Sequence, residues 1–165
     1  MQSDAHTRFT TDLLAAKTQH AAYEALFQLS DAIVPVRLWT VMSLDPEVNL
    51  ARRVYTNMPE AYPTSGTKPM TENAWSKIVR DQHKCFIAST LAEIAEVFPD
   101  HVLIGSLGCG SVLNLPITHD RQLVGTVNLL DVEHHFTPER IQICQAELAE
   151  PAHTTMLKAR DLPDE

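Results

Sequence analysis

The sequence has no long apolar run, no signal-like start and no excess of basic residues. None of its apolar runs approaches the roughly 18 residues that a membrane-spanning helix needs. The first residues, Met1–Asp4, have neither the basic start nor the apolar segment of a secretory signal. A net charge of −8 offers no basic surface for nucleic acid or for anionic membranes. These absences favour a cytoplasmic protein that binds neither nucleic acid nor membranes.

Cysteine is scarce as well. The chain has three cysteines, Cys85, Cys109 and Cys144, and none of them belongs to a CxxC pair. An odd number of cysteines without a signal segment fits a reducing compartment and not a disulfide-held secreted fold. The histidines do not form a recognisable metal site, because His119 and the adjacent His134–His135 lack the spacing of zinc-binding patterns. We therefore predict no metal site, and the sequence identifies no cofactor.

The composition is that of a globular protein, with 44% hydrophobic and 21% charged residues. The length fits one α+β domain over residues 1–165. Apolar residues at steps of three and four predict a single N-terminal helix over 4–34, and residues 36–131 form the predicted sheet and pocket region. Thr137–Pro138 begins a C-terminal helix over 137–160, which Pro151 is expected to kink or break.

Apolar or alternating segments in the middle of the chain predict β-strands. They cover residues 36–43, 50–56, 85–88, 110–117 and 123–131, the last two joined by a tight hairpin at 119–121. Three prolines and a glycine among polar residues predict a surface loop over 57–70, and a helix is predicted over 71–82. If the terminal helices cover one face of an antiparallel sheet, loops and short helices cover the other, an arrangement that commonly encloses a pocket.

Three segments carry a pattern that is known from other proteins. Leu107–Ile117 contains an apolar strand ending in Leu-Pro-Ile, Leu123–Leu130 contains Val-Gly-Thr-Val-Asn-Leu, and Phe136–Glu139 reads Phe-Thr-Pro-Glu. Together with the order of elements, this pattern resembles the GAF domain family over nearly the whole chain. The resemblance implies a five- or six-stranded antiparallel sheet with a ligand pocket on one face. Family members bind cyclic nucleotides, tetrapyrroles, haem, amino acids or other metabolites, so the ligand stays open.

The resemblance also implies a role in sensing. Many GAF domains are regulatory modules fused to output domains, and many dimerise through their terminal helices. Because the predicted domain occupies all 165 residues, we expect a small-molecule sensor without an output domain of its own. Its expected partners are a small-molecule ligand, a second copy of the chain bound through residues 4–34 and 138–160, and a separate output protein.

Two asparagines on neighbouring strands are the first candidate ligand contacts. Period-two alternation places Asn114 on one face of its strand, and it places Thr126 and Asn128 together on one face of the next. Asparagine is uncommon within strands, so we interpret this pair as polar groups that orient a ligand. Hydrogen bonds inside the sheet or to loop backbone are the alternative.

Arginine and aromatic residues near the predicted pocket supply further candidates. Arg53 could bind a carboxylate or phosphate through its forked guanidinium, although a solvated strand face is the simpler explanation. Tyr55 shares the alternation of Arg53, and Tyr62 lies in the loop that should cover the pocket. Trp75 is interpreted as a core residue. If the side chains of Trp75 and residues 57–70 fill the cavity, the domain is a structural module.

The segment Gly108–Ser111 supplies the alternative of an enzyme. Its glycines let backbone amides approach a ligand closely, and Ser111 adds a hydroxyl at the rim. Cys109 could act as a redox nucleophile if its pKa were lowered. Its position beyond a helix C-terminus works against this role, because the helix dipole there disfavours a thiolate.

One enzyme within the GAF family is free methionine-(R)-sulfoxide reductase, which places acidic residues on the two central strands. The matching positions here are Val112, Asn128 and Leu130, and none is acidic. Without those carboxylates the sulfoxide oxygen has no proton source of the expected kind. The resemblance therefore disfavours that activity, and a different small redox or metabolite-modifying enzyme that uses Cys109 stays the alternative to a binding domain.

Overall fold

A computed structural model describes residues 4–164 of the chain. Residues 1–3 and 165, which begin and end the predicted domain, lie outside the described residues. The elements in chain order are α1 (Asp4–Ala15), α2 (Gln19–Ile33), β1 (Leu38–Asp45), β2 (Leu50–Thr56), β3 (Lys68–Pro69), a π-helix (Ser76–Asp81), β4 (Phe86–Ala88), α3 (Leu91–Ala95), α4 (His101–Ser106), β5 (Ser111–His119), β6 (Gln122–Asp131) and α5 (Pro138–Ala159). No helix among residues 4–164 is long and apolar enough to cross a membrane.

The N-terminal segment is two helices and not the single helix predicted over 4–34. The break falls at residues 16–18, where Thr18 adopts an extended conformation and caps α2. Its hydroxyl accepts a hydrogen bond from the backbone N–H of Ala21 at 3.0 Å, which satisfies one of the unpaired donors at the helix start. The apolar spacing continues across the break, so periodicity alone did not reveal it.

The six strands form one sheet in the order β3-β2-β1-β6-β5-β4, with every neighbouring pair antiparallel. This confirms the predicted α+β architecture with a central antiparallel sheet. The tight hairpin between β5 and β6 is present, with Asp120 and Arg121 both at positive φ (51° and 66°), as a type I′ turn requires. The short edge strand β3 lies within the predicted loop over 57–70, where it pairs with the start of β2.

The sheet has two differently covered faces. On one, named here the helix face, α2 and α5 pack over a core that includes Trp39, Leu113 and Val127. On the other, the pocket face, the loop after β2, the π-helix, α3 and α4 form the cover. Helix α5 is continuous through Pro151, so the predicted break there is wrong. Buried residues on both sides of Pro151, Leu148 and Ala152 among them, hold α5 against the core.

A β-bulge in β2 decides which of its side chains reach the pocket face. Val41 pairs with Tyr55, whereas the next residue of β1, Met42, pairs with Arg53. Val54 is therefore an extra residue without an opposite partner, and it reverses the alternation along β2. As a result, Arg53 faces the pocket and Tyr55 faces the helices. A register shift also occurs in β6, where Gly125 and Leu123 pair with consecutive residues of β5.

Gly125 marks a close approach between the sheet and α5. A Cβ atom at this position would lie 2.5 Å from the carbonyl oxygen of Met42 and 2.5 Å from Cε of Met156. Real Cβ atoms do not tolerate such distances, and the first of the two neighbours is backbone that cannot rotate away. The Gly-Thr-Val-Asn segment therefore needs glycine because α5 crosses the strand at this point.

We expect Gly125→Ala to lower the free energy of unfolding by about 1–3 kcal/mol, the usual cost of forcing an extra methyl group into a packed region. Gly66→Ala is the matched control, because a Cβ at Gly66 would meet nothing within 4 Å, and a change within about 0.5 kcal/mol is expected. Urea denaturation of the two variants measures both values. Equal stability of the two variants would contradict the close approach.

Candidate functional site

A cavity of about 300 Å³ lies between the pocket face of the sheet and its cover. Strands β1, β2, β5 and β6 form its floor, and segments 62–75 and 97–104 form its walls. The side chains that line the floor and its polar edge are those of Thr40, Asn114, Thr126, Asn128, Arg53 and Trp75. The sequence-predicted residues Asn114, Thr126, Asn128, Arg53 and Tyr62 all lie at this cavity.

A chain of hydrogen bonds crosses the cavity floor. The indole Nε1–H of Trp75 donates to Oδ1 of Asn114 at 2.9 Å. Nδ2 of Asn114 donates to Oδ1 of Asn128 at 2.6 Å, and Nδ2 of Asn128 donates to Oγ1 of Thr40 at 3.0 Å. The asparagines thus bond within the sheet, as the alternative interpretation held, while they also line the cavity.

The indole of Trp75 fixes the direction of this chain. An indole N–H can only donate, so the oxygen of Asn114 must face Trp75 and its nitrogen must face Asn128. The same requirement then turns the oxygen of Asn128 towards Asn114 and its nitrogen towards Thr40. Asn73 and Ser76 hold Trp75 in place, because Asn73 Oδ1 accepts from the N–H of Ser76 at 3.0 Å and Ser76 Oγ accepts from the N–H of Asn73 at 2.9 Å.

Thr126 is a polar residue of the floor that takes no part in this series of hydrogen bonds. It is fully buried, and its Oγ1 has no hydrogen-bond partner among residues 4–164. A buried hydroxyl without a partner costs about 1–3 kcal/mol. Thr126 belongs to the cavity lining, so this unpaired hydroxyl lies at the cavity floor.

A charged cluster of Arg53, Tyr62 and Asp100 forms one wall. The guanidinium carbon of Arg53 lies 3.7 Å from the ring centroid of Tyr62, and Nη1 donates to the carbonyl of Pro63 at 2.6 Å. Nη2 lies 3.7 Å from Oδ2 of Asp100, which also accepts a hydrogen bond from the hydroxyl of Tyr62. Burial raises the pKa of Tyr62, and the bond to Asp100 raises it further.

Three predicted ligand contacts, Tyr55, Ser111 and Cys109, lie elsewhere. The bulge at Val54 turns Tyr55 to the helix face, where it packs against Trp39 and its hydroxyl donates to Glu24. The hydroxyl of Ser111 is buried and donates to the carbonyl of Val132 at 2.7 Å. These two placements correct the prediction that both side chains line the pocket.

Cys109 is buried in a hydrophobic cluster beside the cavity and is not part of its lining. Burial raises the pKa of its thiol to about 11, and the carboxylate of Asp131 contributes to the increase while Arg37 opposes it. This position corrects the prediction that Cys109 is a ligand contact at the rim of the pocket. A raised pKa is the opposite of what an activated nucleophile needs.

Two residues of the site, Thr40 and Asp100, were not found from the sequence. Thr40 has a detectable signal, because it is a polar residue between Trp39 and Val41 in a mostly apolar strand. In the sheet it pairs with Asn128. Asp100 lies between two short helices, in a segment with no periodicity that would place it beside Arg53. Its position beside Arg53 depends on how the cover packs over the sheet.

The histidines make a pair and no larger cluster. Nδ1 of His119 lies 3.1 Å from Nε2 of His153 on α5, while His134 and His135 follow β6 in a loop. Within the part of the chain that the structure describes, no group of three or more potential metal ligands occurs.

A second, shallower hollow of about 550 Å³ lies on the helix face near the hairpin turns. Acidic side chains (Asp45, Glu47, Asp120 and Asp164) mix there with Arg52 and Arg160. The smaller cavity is the better candidate, because it alone combines a buried polar floor with a cover of loop and short helices.

We expect Thr126→Val to leave the free energy of unfolding unchanged or to raise it, since valine removes an unpaired buried hydroxyl at constant shape. Thr155→Val is the matched control, because Thr155 is also fully buried but donates to the carbonyl of Pro151 at 2.7 Å. That variant should lose about 1 kcal/mol. Urea denaturation measures both values. An equal loss of unfolding free energy in the two variants would show that the Thr126 hydroxyl has a hydrogen-bond partner.

Alkylation of Cys109 by iodoacetamide should be slow in the native protein at pH 7. A thiol with a pKa of about 11 is ionised in only about one molecule in ten thousand at that pH, and only the thiolate reacts. The rate should rise about tenfold for each pH unit until the pKa is reached. Peptide mass spectrometry identifies the site, and the chain in urea serves as the fast-reacting control. A native rate that matches the unfolded rate contradicts the buried placement.

The sequence model of the GAF domain matches residues 20–150. None of the curated protein sequences compared with the chain matches it significantly. Among solved structures, the GAF domain of a two-component sensor histidine kinase from Bacillus halodurans has a TM-score of 0.70 at 14% identity, covering 88% of this chain and 97% of that chain.

Two more structures are similar to the chain in fold. The GAF domain of a phosphoenolpyruvate-protein phosphotransferase from Coxiella burnetii has a TM-score of 0.71 at 16% identity, covering 96% of this chain and 98% of that one. The chromophore-binding domain of a bacteriophytochrome from R. palustris has a TM-score of 0.68 at 12% identity, covering 95% of this chain and 61% of that one. The GAF family model spans most of the length of this chain, and the chain therefore belongs to the GAF domain family.

Proposed function

We propose that this GAF domain is a sensory module whose small-molecule ligand occupies the cavity above Asn114 and Asn128. The observation that carries the proposal is the floor of the cavity, which contains four buried or partly buried polar side chains on three adjacent strands. One of them, Thr126, has a buried hydroxyl that lacks a partner in the described chain. Buried polar groups are normally satisfied, so a bound molecule is the natural partner for this hydroxyl.

The size of the cavity supports a small metabolite. Ligand sites commonly measure about 300–1,000 Å³, and this cavity, at about 300 Å³, lies at the lower end. Apolar side chains, Phe98, Ile104 and Leu130 among them, form another part of its lining. Trp75 is buried in the wall and does not fill the space, which argues against a purely structural module.

The sensing part of the proposal rests on how the strands connect the two faces. Strand β1 presents Thr40 to the cavity and the adjacent Trp39 to the helix face, where its indole donates to Oγ of Ser30 on α2 at 2.8 Å. A ligand that alters the cavity floor therefore acts on a strand that is hydrogen-bonded to a terminal helix. We further propose a cytoplasmic homodimer that contacts a separate output protein. Exposed apolar residues on the terminal helices, Leu14 and Ile143, support the homodimer.

An enzyme that uses Cys109 is the weaker candidate. Its thiol is buried outside the cavity lining, and its pKa is raised and not lowered. Nucleophilic catalysis needs a thiolate within reach of the bound substrate. No observation at Cys109 favours this role over simple packing.

The two tryptophans of the chain provide a built-in test of ligand binding. Trp75 lines the cavity, whereas Trp39 is buried on the opposite face. We expect a ligand found by thermal-shift screening of a metabolite library to move the indole N–H resonance of Trp75 in an NMR titration much more than that of Trp39. Trp75→Phe assigns the two signals. The proposal fails if no compound raises the melting temperature, or if the compounds that do leave the Trp75 signal in place.

A further inference from the structure

The charge around the cavity differs from the charge of the whole protein. The chain has a net charge of −8, yet the charged lining residues are Arg52, Arg53, Lys68 and Asp100. Arg52 directs its side chain to the other side of the sheet, where Nη2 lies 3.9 Å from Asp164. Two cations and one anion then remain at the cavity. An acidic protein that keeps a positive pocket has a site suited to a negative ligand.

Arg53 is the group best placed to bind that negative charge. Its guanidinium carbon lies over the ring of Tyr62, 3.7 Å from the centroid, a contact that restricts the side chain and favours binding of an oxyanion by its forked donors. Of its five N–H hydrogens, the structure uses one in a hydrogen bond, from Nη1 to the carbonyl of Pro63. The side chain is 23% exposed and lines the cavity, so the guanidinium can be reached from it.

Asp100 is a weak partner for Arg53. The distance of 3.7 Å between Nη2 and Oδ2 is an ion pair but too long for a hydrogen bond. The carboxylate is instead hydrogen-bonded to the hydroxyl of Tyr62. Although Asp100 precedes α4, its side chain makes no capping hydrogen bond there. It therefore neutralises Arg53 without occupying its donors, and an incoming anion with good geometry can replace it.

We propose that the ligand carries an oxyanionic group, a carboxylate or a phosphate, which binds Arg53 in exchange for Asp100, while an apolar body lies against Phe98 and Ile104. This inference rests on the proposed binding function and names the class of its ligand. The hydroxyl of Thr126 and the second N–H of each asparagine on the floor complete the polar contacts. Charge-assisted hydrogen bonds to a forked guanidinium are the strong ones in such sites.

The test compares small probes that share an apolar ring and differ in charge. Benzoate and phenyl phosphate carry the two candidate groups on an apolar ring, and benzamide is the neutral counterpart of benzoate. Each is titrated into the 15N-labelled full chain while the indole resonance of Trp75 is followed. We expect benzoate or phenyl phosphate to bind at least tenfold more tightly than benzamide. Whichever of these two anions binds more tightly shows whether the site prefers a carboxylate or a phosphate.

Variants at two positions should change this affinity in opposite directions. Arg53→Gln should weaken binding of the preferred anion about tenfold or more, because it removes the charged hydrogen-bond donors. Arg52→Gln is the matched control, an adjacent arginine on the same strand with its side chain on the other face, and it should change the affinity much less than Arg53→Gln does. Asp100→Asn should strengthen binding about two- to fivefold, because it removes a competing anion whose ion pair is partly exposed. A gain of affinity cannot arise from misfolding.

The outcomes separate this inference from the proposed function. The inference is overturned if benzamide binds as tightly as the anions, or if Arg53→Gln retains the affinity while Asp100→Asn does not increase it. If none of the three probes moves the Trp75 signal but neutral or cationic library compounds do, the anionic ligand is rejected and the binding function stands. If no compound of any charge moves that signal, both proposals fail.

Discussion

The hydrogen-bond chain from Trp75 to Thr40 is the interaction on which the pocket face depends. It joins β5, β6 and β1 through their side chains, and it ties the covering π-helix to the sheet at the buried indole. Each of its members is buried or nearly so, and an unpaired amide there would cost about 1–3 kcal/mol. The bond from Trp75 to Asn114 thus fixes where the covering π-helix meets the sheet, and the cavity lies beside this contact.

The second constraint is the bulge at Val54, which gives β2 two functions. Directly before the bulge, the side chain of Arg53 lies on the pocket face, where it meets Tyr62 and Asp100. Beyond the bulge, Tyr55 joins Trp39 in the core beneath α2. Bulges increase local twist and redirect side chains next to binding sites. Here one extra residue places a cation at the cavity and an aromatic ring at the helices, with no change of strand.

Much of this could be predicted from the sequence, and the failures have physical causes. The positions of five strands along the chain, the hairpin at Asp120–Arg121 and the shared face of Thr126 and Asn128 follow from alternation and turn chemistry. Tyr55 was misplaced because alternation assumes an unbroken register, and the sequence does not mark Val54 as a bulge. The division between α1 and α2 was missed because Thr18 is compatible with a helix interior but serves as a cap.

The charged wall was the hardest part to predict. Arg53 comes from the second strand, Tyr62 from a loop and Asp100 from a turn between short helices, so their meeting depends on tertiary packing of irregular segments. Local patterns carry no information about such contacts, since each segment is polar enough to be solvated alone. The polar floor, in contrast, lies on regular strands, where spacing fixes which side chains share a face.

The same regular strands explain how a ligand at the floor can affect the outside of the domain. Thr40 and Trp39 are consecutive residues of β1, and each makes a buried side-chain hydrogen bond, one to Asn128 and one to Ser30. A shift of β1 that improves one bond must be accommodated by the other, because close-packed interiors transmit displacement and do not absorb it. α2 is thus coupled to the cavity through one strand. Since α1 and α5 both pack against α2, the proposed sensing function would make occupancy of the cavity detectable to another molecule at the terminal helices.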